Sequence, residues 1–178
     1  MATEIQGAKI VVEEIENAAG ANPYSITLTA QQATTSGAAI DFTGLPAGIK
    51  RIDISIVGNQ TSGSSLPCVQ IGDSGGIEAT GYLGAIGGSA SNTAFTVGFG
   101  IDNGATSAAI NHGVISLFLE NAATFTWTAT TNTARSDGAS WTTGAGSKSL
   151  SAELTQIRLT TVGGSDTFAA GAASVQFQ

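Results

Sequence analysis

A serine nucleophile is the first chemistry this chain invites. Ser74 stands in the run Gly72-Asp73-Ser74-Gly75-Gly76. A serine attacks a carbonyl only when a base takes its proton, an acid orients that base, and backbone N–H groups receive the oxyanion. The single histidine, His112, is the imidazole base on offer, and Asp102 could orient it. Such a set works by geometry rather than by order in the chain, so the fold must bring the three together. The competing reading is a strand that ends at Ile71, followed by a glycine-rich turn in which Asp73 accepts hydrogen bonds from nearby backbone amides. The residue types favour the turn, and no catalytic residue is assigned.

Metal chemistry fares no better. Asp102-Asn103-Gly104 opens like a calcium loop but lacks the later acidic positions and the closing glutamate, so it reads as a turn. One cysteine and one histidine cannot make a zinc site or a disulfide. Cys68 follows Pro67 in an apolar run and reads as a buried, inert thiol. His112 reads as a surface turn residue before an apolar strand. No metal and no cofactor is expected. Recognition chemistry is the remaining option. Trp141, among the small and polar residues of Ser136–Gly144, reads as an exposed loop indole that could stack on a sugar ring or pack on another protein. Tyr82, between Gly81 and Leu83, is a second candidate of the same kind. Trp127 is in phase with Phe125 on an alternating strand and reads as core.

The elements that must position these residues are strands. Ile52, Ile54 and Ile56 alternate with Arg51, Asp53 and Ser55, a period of two that buries one face. Gly44-Leu45-Pro46-Ala47-Gly48 precedes them, with proline presetting φ and glycines permitting positive φ, so a hairpin or a short β-corner is predicted. Further alternating stretches carry Ile26 and Leu28, Phe95 to Phe99, Phe125 to Ala129, Ile157 and Leu159, and Val175 and Phe177. Val114 to Leu119 is nearly all apolar and reads as a central strand covered on both faces. Turn signals separate them at Gly58-Asn59, Gly75-Gly76, Gly87-Gly88, Asp102-Asn103-Gly104, Asp137-Gly138 and Gly163-Gly164. Eight to ten short strands at this spacing predict an all-β, jelly-roll-like β-sandwich, with residues 24–178 as the domain. Residues 1–23 differ in composition. They carry Glu4, Glu13, Glu14 and Glu16, and read as an N-terminal arm or first strand with a linker. Ile10, Val11, Val12 and Ile15 are its candidate anchoring residues.

Composition narrows the function. At 178 residues one domain can bury roughly 70% of its unfolded surface without staples. Charged residues make up only 11%, against about 25% in ordinary domains. So weakly charged a surface suggests cover by a partner or by further copies of the chain. A net charge of −7 with no basic patch disfavours nucleic acid. The N-terminus lacks the basic and apolar regions of a signal peptide, and no apolar run approaches the ~18 residues of a membrane span. Synthesis in a cytoplasm, without membrane insertion, is expected.

Two resemblances bear on these readings. The run around Ser74 resembles the nucleophile motif of trypsin-like serine proteases, but there the histidine precedes the serine, whereas His112 follows Ser74. More of the chain resembles virion modules found at the distal ends of bacteriophage tail fibres. The blocks are Thr34–Val57, Val69–Tyr82, Trp141 with Lys148-Ser149-Leu150-Ser151, Leu154–Val162 and Gly163–Gly171, in that order. The resemblance implies a β-sandwich virion protein, usually trimeric, made in a bacterial host and carried on the virion's outer surface. It implies no catalytic residues. Two placements follow. One is a capsid decoration (cement) protein, a homotrimer seated on the major capsid protein or another virion protein, that also aids adhesion to a host cell-surface glycan. The other is a receptor-binding tail-fibre tip. The chain opens at Met1 with a short arm and encodes no fibre shaft, which favours decoration.

Overall fold

The computed structural model describes residues 25–88 and 91–178, and every regular element among them is a β-strand. In chain order these are β1 (Thr27–Leu28), β2 (Gln32–Ala33), β3 (Ile40–Phe42), β4 (Arg51–Thr61), β5 (Pro67–Asp73), β6 (Gly76–Glu78) and β7 (Leu83–Gly88). There follow β8 (Asn92–Phe95), β9 (Phe99–Gly100), β10 (Asn111–Asn121), β11 (Thr126–Arg135), β12 (Ser140–Ser149), β13 (Gln156–Thr161) and β14 (Phe168–Phe177). The count exceeds the eight to ten expected because several strands are only two to four residues long. They pair antiparallel into two sheets, one of nine strands in the order β1-β14-β4-β10-β11-β12-β7-β8 with β2 also on β14. The other has five, in the order β3-β13-β5-β6 with β9 also on β5. The all-β sandwich expected from alternation and turn spacing is what forms.

The alternation in β4 does what a period of two requires. Ile52, Ile54 and Ile56 are fully buried and meet Ile115, Leu117, Trp127, Val175, Ile71, Ile157 and Leu159 in one core between the sheets. Burying such side chains stabilises the fold by about 1.5–3 kcal/mol each. Of the two local structures predicted before β4, the corner is the one observed. β3 belongs to the five-stranded sheet and β4 to the nine-stranded one, so Gly44–Gly48 carries the chain from one layer to the other. Gly44 and Gly48 sit at φ of 71° and 86°, where a β-carbon is strained, and Leu45 is buried beneath them.

Two sequence readings need correction. Gly58-Asn59 is not a turn but lies inside β4, where Gly58 at φ 68° makes a bulge that shifts the register with β10 and β14. Val114 to Leu119 is central in its sheet, between β4 and β11, but only one face is covered: Ile115 and Leu117 are buried, while Val114 and Phe118 are exposed. The strand buried along its whole length is instead β5, where every residue is buried. The layer opposite decides this, because a strand in a two-layer sandwich has one face toward the core unless loops fold over the other.

Candidate functional site

The outer face of the nine-stranded sheet is the largest surface the fold organises. Residues that alternate with the core positions point there: Asp53, Ser55 and Val57 on β4, Val114, Ser116 and Phe118 on β10, Thr128, Thr130 and Asn132 on β11, and Thr143 and Ala145 on β12. Cross-strand registers place them in rows, for example Asp53–Ser116–Thr130–Ala145–Ala85. Charges are few. Arg51 and Asp53 pair at 3.0 Å, Asp53 also accepts from the Ser116 hydroxyl at 2.5 Å, and the Arg51 guanidinium lies 5.3 Å from the centre of the Phe118 ring. Apart from the exposed Glu120 and Asn132, the rest of the face is mostly hydroxyls, small side chains and exposed apolar groups, among them Val57, Leu83 (73% exposed), Val114, Phe118 and Trp141. Sequence reading missed Val57, Val114, Phe118 and Leu83. The signal was present, since Val57 and Val114 are apolar residues in the polar phase of their strands.

Trp141 is 55% exposed, as a recognition residue must be, but it sits on a strand and not in a loop. The four-residue turn Ser136–Ala139, with Ala139 at φ 47°, closes the β11–β12 hairpin just before it. Its cross-strand partner is Ala134. So small a neighbour leaves that side of the indole uncovered. One strand beyond Ala134 lies His112, whose Nδ1 accepts from the Gly58 N–H at 3.2 Å and whose Nε2 is 3.1 Å from the Ser136 hydroxyl. In the turn, Asp137 accepts from Arg135 and from the Ile110 N–H (2.8 Å). The Arg135 hydrogen bonds and then this amide hold its carboxyl well below the usual carboxylate range. An aromatic ring on a rigid hairpin, beside hydroxyl and amide side chains, can stack on a flat apolar surface while its neighbours bond to hydroxyls.

Tyr82 cannot do this. It is 1% exposed, in the core, and its ring meets Phe99 edge-on at 5.0 Å. Its hydroxyl accepts from the Ile71 N–H at 2.8 Å and donates to the Ile71 carbonyl, and burial raises its pKa far above the ordinary value. Leu83, the next residue, takes the outward position, so the phase of the strand turns Tyr82 inward. The recognition role expected for Tyr82 is withdrawn. It ties β5 to the edge of the core instead.

The structure does not assemble Ser74 with His112 and Asp102. Ser74 and Gly75 form the two-residue loop of the β5–β6 hairpin. Asp73 accepts from the Gly75 N–H (2.7 Å) and the Ser151 hydroxyl (2.6 Å), and these bonds, the Ser151 one foremost, lower its pKa. The glycines have a structural cause: a β-carbon on Gly72 would lie 2.2 Å from the Gly76 carbonyl oxygen, and Gly76 has a φ of 130°. His112 is occupied with Gly58 and Ser136, as above, and lies on β10 rather than in a turn. Asp102 is buried, with Oδ1 accepting from the Gly104 N–H at 3.0 Å, a turn of the expected kind. Cys68 is buried, and burial pushes its pKa up to about 12. Among the described residues no three His, Cys, Asp or Glu side chains cluster as a metal would need, and no helix is long and apolar enough to cross a membrane. The arm residues Ile10, Val11, Val12 and Ile15 lie outside the described residues.

Comparison with known proteins identifies no relative: no family model, no curated protein and no solved structure matches this chain.

Proposed function

We propose that the protein is a structural component of a bacteriophage virion, a jelly-roll-like trimer that decorates and reinforces the outer surface of the head. The observation that carries this reading is the outer face of the nine-stranded sheet. It is broad, its one close ion pair is internal to it, and it exposes Val57, Val114, Phe118, Leu83 and Trp141 together. Exposed apolar groups concentrated on one sheet face mark a surface that meets another protein. On an acidic chain, a face with few charges of its own is where a neighbouring virion subunit approaches with least repulsion. The viral context rests on the resemblance of the residue blocks, in their order, to tail-fibre modules.

The test is assembly. Light scattering on the purified protein is expected to give about three times the 17.7 kDa chain mass, and the protein to co-sediment with undecorated phage capsids. The double change Val114→Lys with Phe118→Glu, both outward-facing, is expected to leave the fold intact and to reduce one or both associations by at least ten-fold. A monomer that ignores capsids, or associations indifferent to the double change, sinks this reading.

A second reading, a receptor-binding tail-fibre tip, is favoured by one observation only: the uncovered indole of Trp141 on its rigid hairpin. In that reading a host cell-surface glycan stacks on Trp141. Binding of the purified protein to whole host cells, competed by cell-wall glycans, separates it from pure reinforcement.

A further inference from the structure

In the five-stranded sheet β13 has β3 on one flank and β5 on the other. Ile157 and Leu159 are its core side, so Arg158 and Thr160 face outward. By the same alternation Asp41, between the buried Ile40 and Phe42, and Gln70, between the buried Val69 and Ile71, face outward too. Cross-strand register sets Asp41, Arg158 and Gln70 in one row. Loops build walls beside this floor. Ala38 and Ala39 lead into β3, Val97 leads toward β9 on the far flank of β5, and Gly163-Gly164 turns the chain just after β13. These loop residues line, with Arg158, Thr160 and Gln70, a groove of about 320 Å³.

The polar groups of the groove are held in place. The Arg158 guanidinium donates from Nε (2.7 Å) and Nη2 (2.8 Å) to the two carboxylate oxygens of Asp41. This fork fixes the plane of the guanidinium and leaves Nη1 available to a ligand. The Gln70 side chain, 7% exposed, donates its amide to the Val97 carbonyl at 2.8 Å and keeps its oxygen as an acceptor. The Thr160 hydroxyl donates to the Ala38 carbonyl at 2.9 Å and keeps its lone pairs. The last two bonds also tie the floor to both walls. Charge is balanced, because Asp41 neutralises Arg158 and, among the described residues, no other charged side chain lines the groove.

These properties narrow the ligand. An anion meets a guanidinium already neutralised, and an apolar chain meets only alanines and the short side chains of Val97 and Val162. A small, neutral molecule whose neighbouring groups both donate and accept suits the lining, and adjacent sugar hydroxyls do both. The volume stands near the lower end of the roughly 300–1,000 Å³ usual for small-molecule sites, which matches one ring rather than a chain of them. We propose that this groove binds a single neutral sugar ring, with Arg158 Nη1 donating to one hydroxyl and Gln70 Oε1 accepting from another. Ala38 and Ala39 are small enough to let the ring approach the backbone. The site does not depend on what meets the nine-stranded sheet, because the two sheets of the sandwich turn their outer faces in opposite directions.

Amide NMR on the full chain tests this. D-glucose, D-galactose, D-mannose, N-acetyl-D-glucosamine and L-rhamnose are titrated singly. At least one is expected to shift the signals of Gln70, Val97, Thr160 and Gly163 along a saturating curve, with a dissociation constant on the order of 1 mM, as suits one ring with a few hydrogen bonds. The Trp141 indole signal is expected to stay in place. Arg158→Lys keeps a cation opposite Asp41 but lacks the planar fork, and is expected to weaken binding about ten-fold. Gln70→Met removes the acceptor at similar length and is expected to do the same, and each variant's own spectrum shows that it is folded. The proposal is overturned if no sugar moves the groove signals, if the shifts centre on Trp141, or if both variants bind like the parent. Inorganic phosphate that moves the same signals as strongly as the sugars also overturns it, because Arg158 would then be acting as a free cation.

Discussion

β4 and β12 belong to the same sheet and read in opposite senses. β4 turns Ile52, Ile54 and Ile56 inward and sends Arg51 and Asp53 out. β12 buries Lys148 and exposes Trp141. Both alternate with a period of two, as any strand must. The period does not say which phase faces the core. On β4 the apolar phase is unmistakable. On β12 the inward positions are Thr142, Gly144, Gly146 and Lys148, and nothing in that set announces a core face. The glycines are inward because the neighbouring strand crowds them: a β-carbon on Gly144 would lie 2.5 Å from the Ala85 carbonyl oxygen. Lys148 can be inward because it has partners. Its ammonium donates to Glu78 and to the Ser149 carbonyl, and stands 5.8 Å from the centre of the Tyr82 ring.

This contrast can be pressed hardest on β4. Ile54→Ala opens a cavity in the core and is expected to cost about 2–5 kcal/mol, read by urea denaturation. Ser55→Ala, one residue away on the outer face, is expected to change stability by less than about 0.5 kcal/mol. Similar costs for the two would break the assignment of faces.

On β12 the test is electrostatic. Burial pushes Glu78 up, but the hydrogen bonds from Lys148 and from the Ser151 N–H outweigh it, and its pKa lies below the ordinary 4.5. A folded-state value below the unfolded one means that Glu78 contributes stability above about pH 4.5, and that this is lost as the pH falls through the lower folded value. Lys148→Met removes the ammonium while keeping the apolar stem. It is expected to cost about 1–3 kcal/mol at neutral pH, less than a fully buried pair because Glu78 is partly exposed. The deficit is expected to shrink as the pH falls through the folded value of Glu78, where the parent loses the same contribution. A deficit that stays constant with pH would show that Lys148 only fills space.

The smallest effect on stability is expected at the most conspicuous residue. Trp141→Ala should lower stability by no more than about 1 kcal/mol, where a core tryptophan such as Trp127 would lose about 3–5 kcal/mol on the same change. If the melting temperature collapses, the indole is structural and the glycan reading is lost. If stability holds and attachment to host cells disappears, Trp141 is the contact.

How much of this was legible varies with how local the cause is. The hairpin at Ser74-Gly75 could be read from its glycines, because the close approach that demands them lies within six residues. The choice between hairpin and corner at Gly44–Gly48 could not, because both use the same turn chemistry and differ only in which strand β3 meets. It meets β13, more than a hundred residues on. Tyr82 and Trp141 looked alike, each an aromatic among small residues. One became a strut bonded to Ile71 and the other an open ring, because the neighbouring strands supply a core to the first and set the small Ala134 across from the second.

By itself, then, the amino-acid order determined that the chain is built of strands, where most of the turns fall, and that Ile52, Ile54 and Ile56 share a face. These follow from backbone preferences and from a period of two, both local properties. Only the packing of two sheets decided that β5 is buried throughout while β10 keeps one face open, and that Lys148 points in. Burial depends on what lies across the ten or so ångströms between layers, and the residues that lie there come from remote parts of the chain.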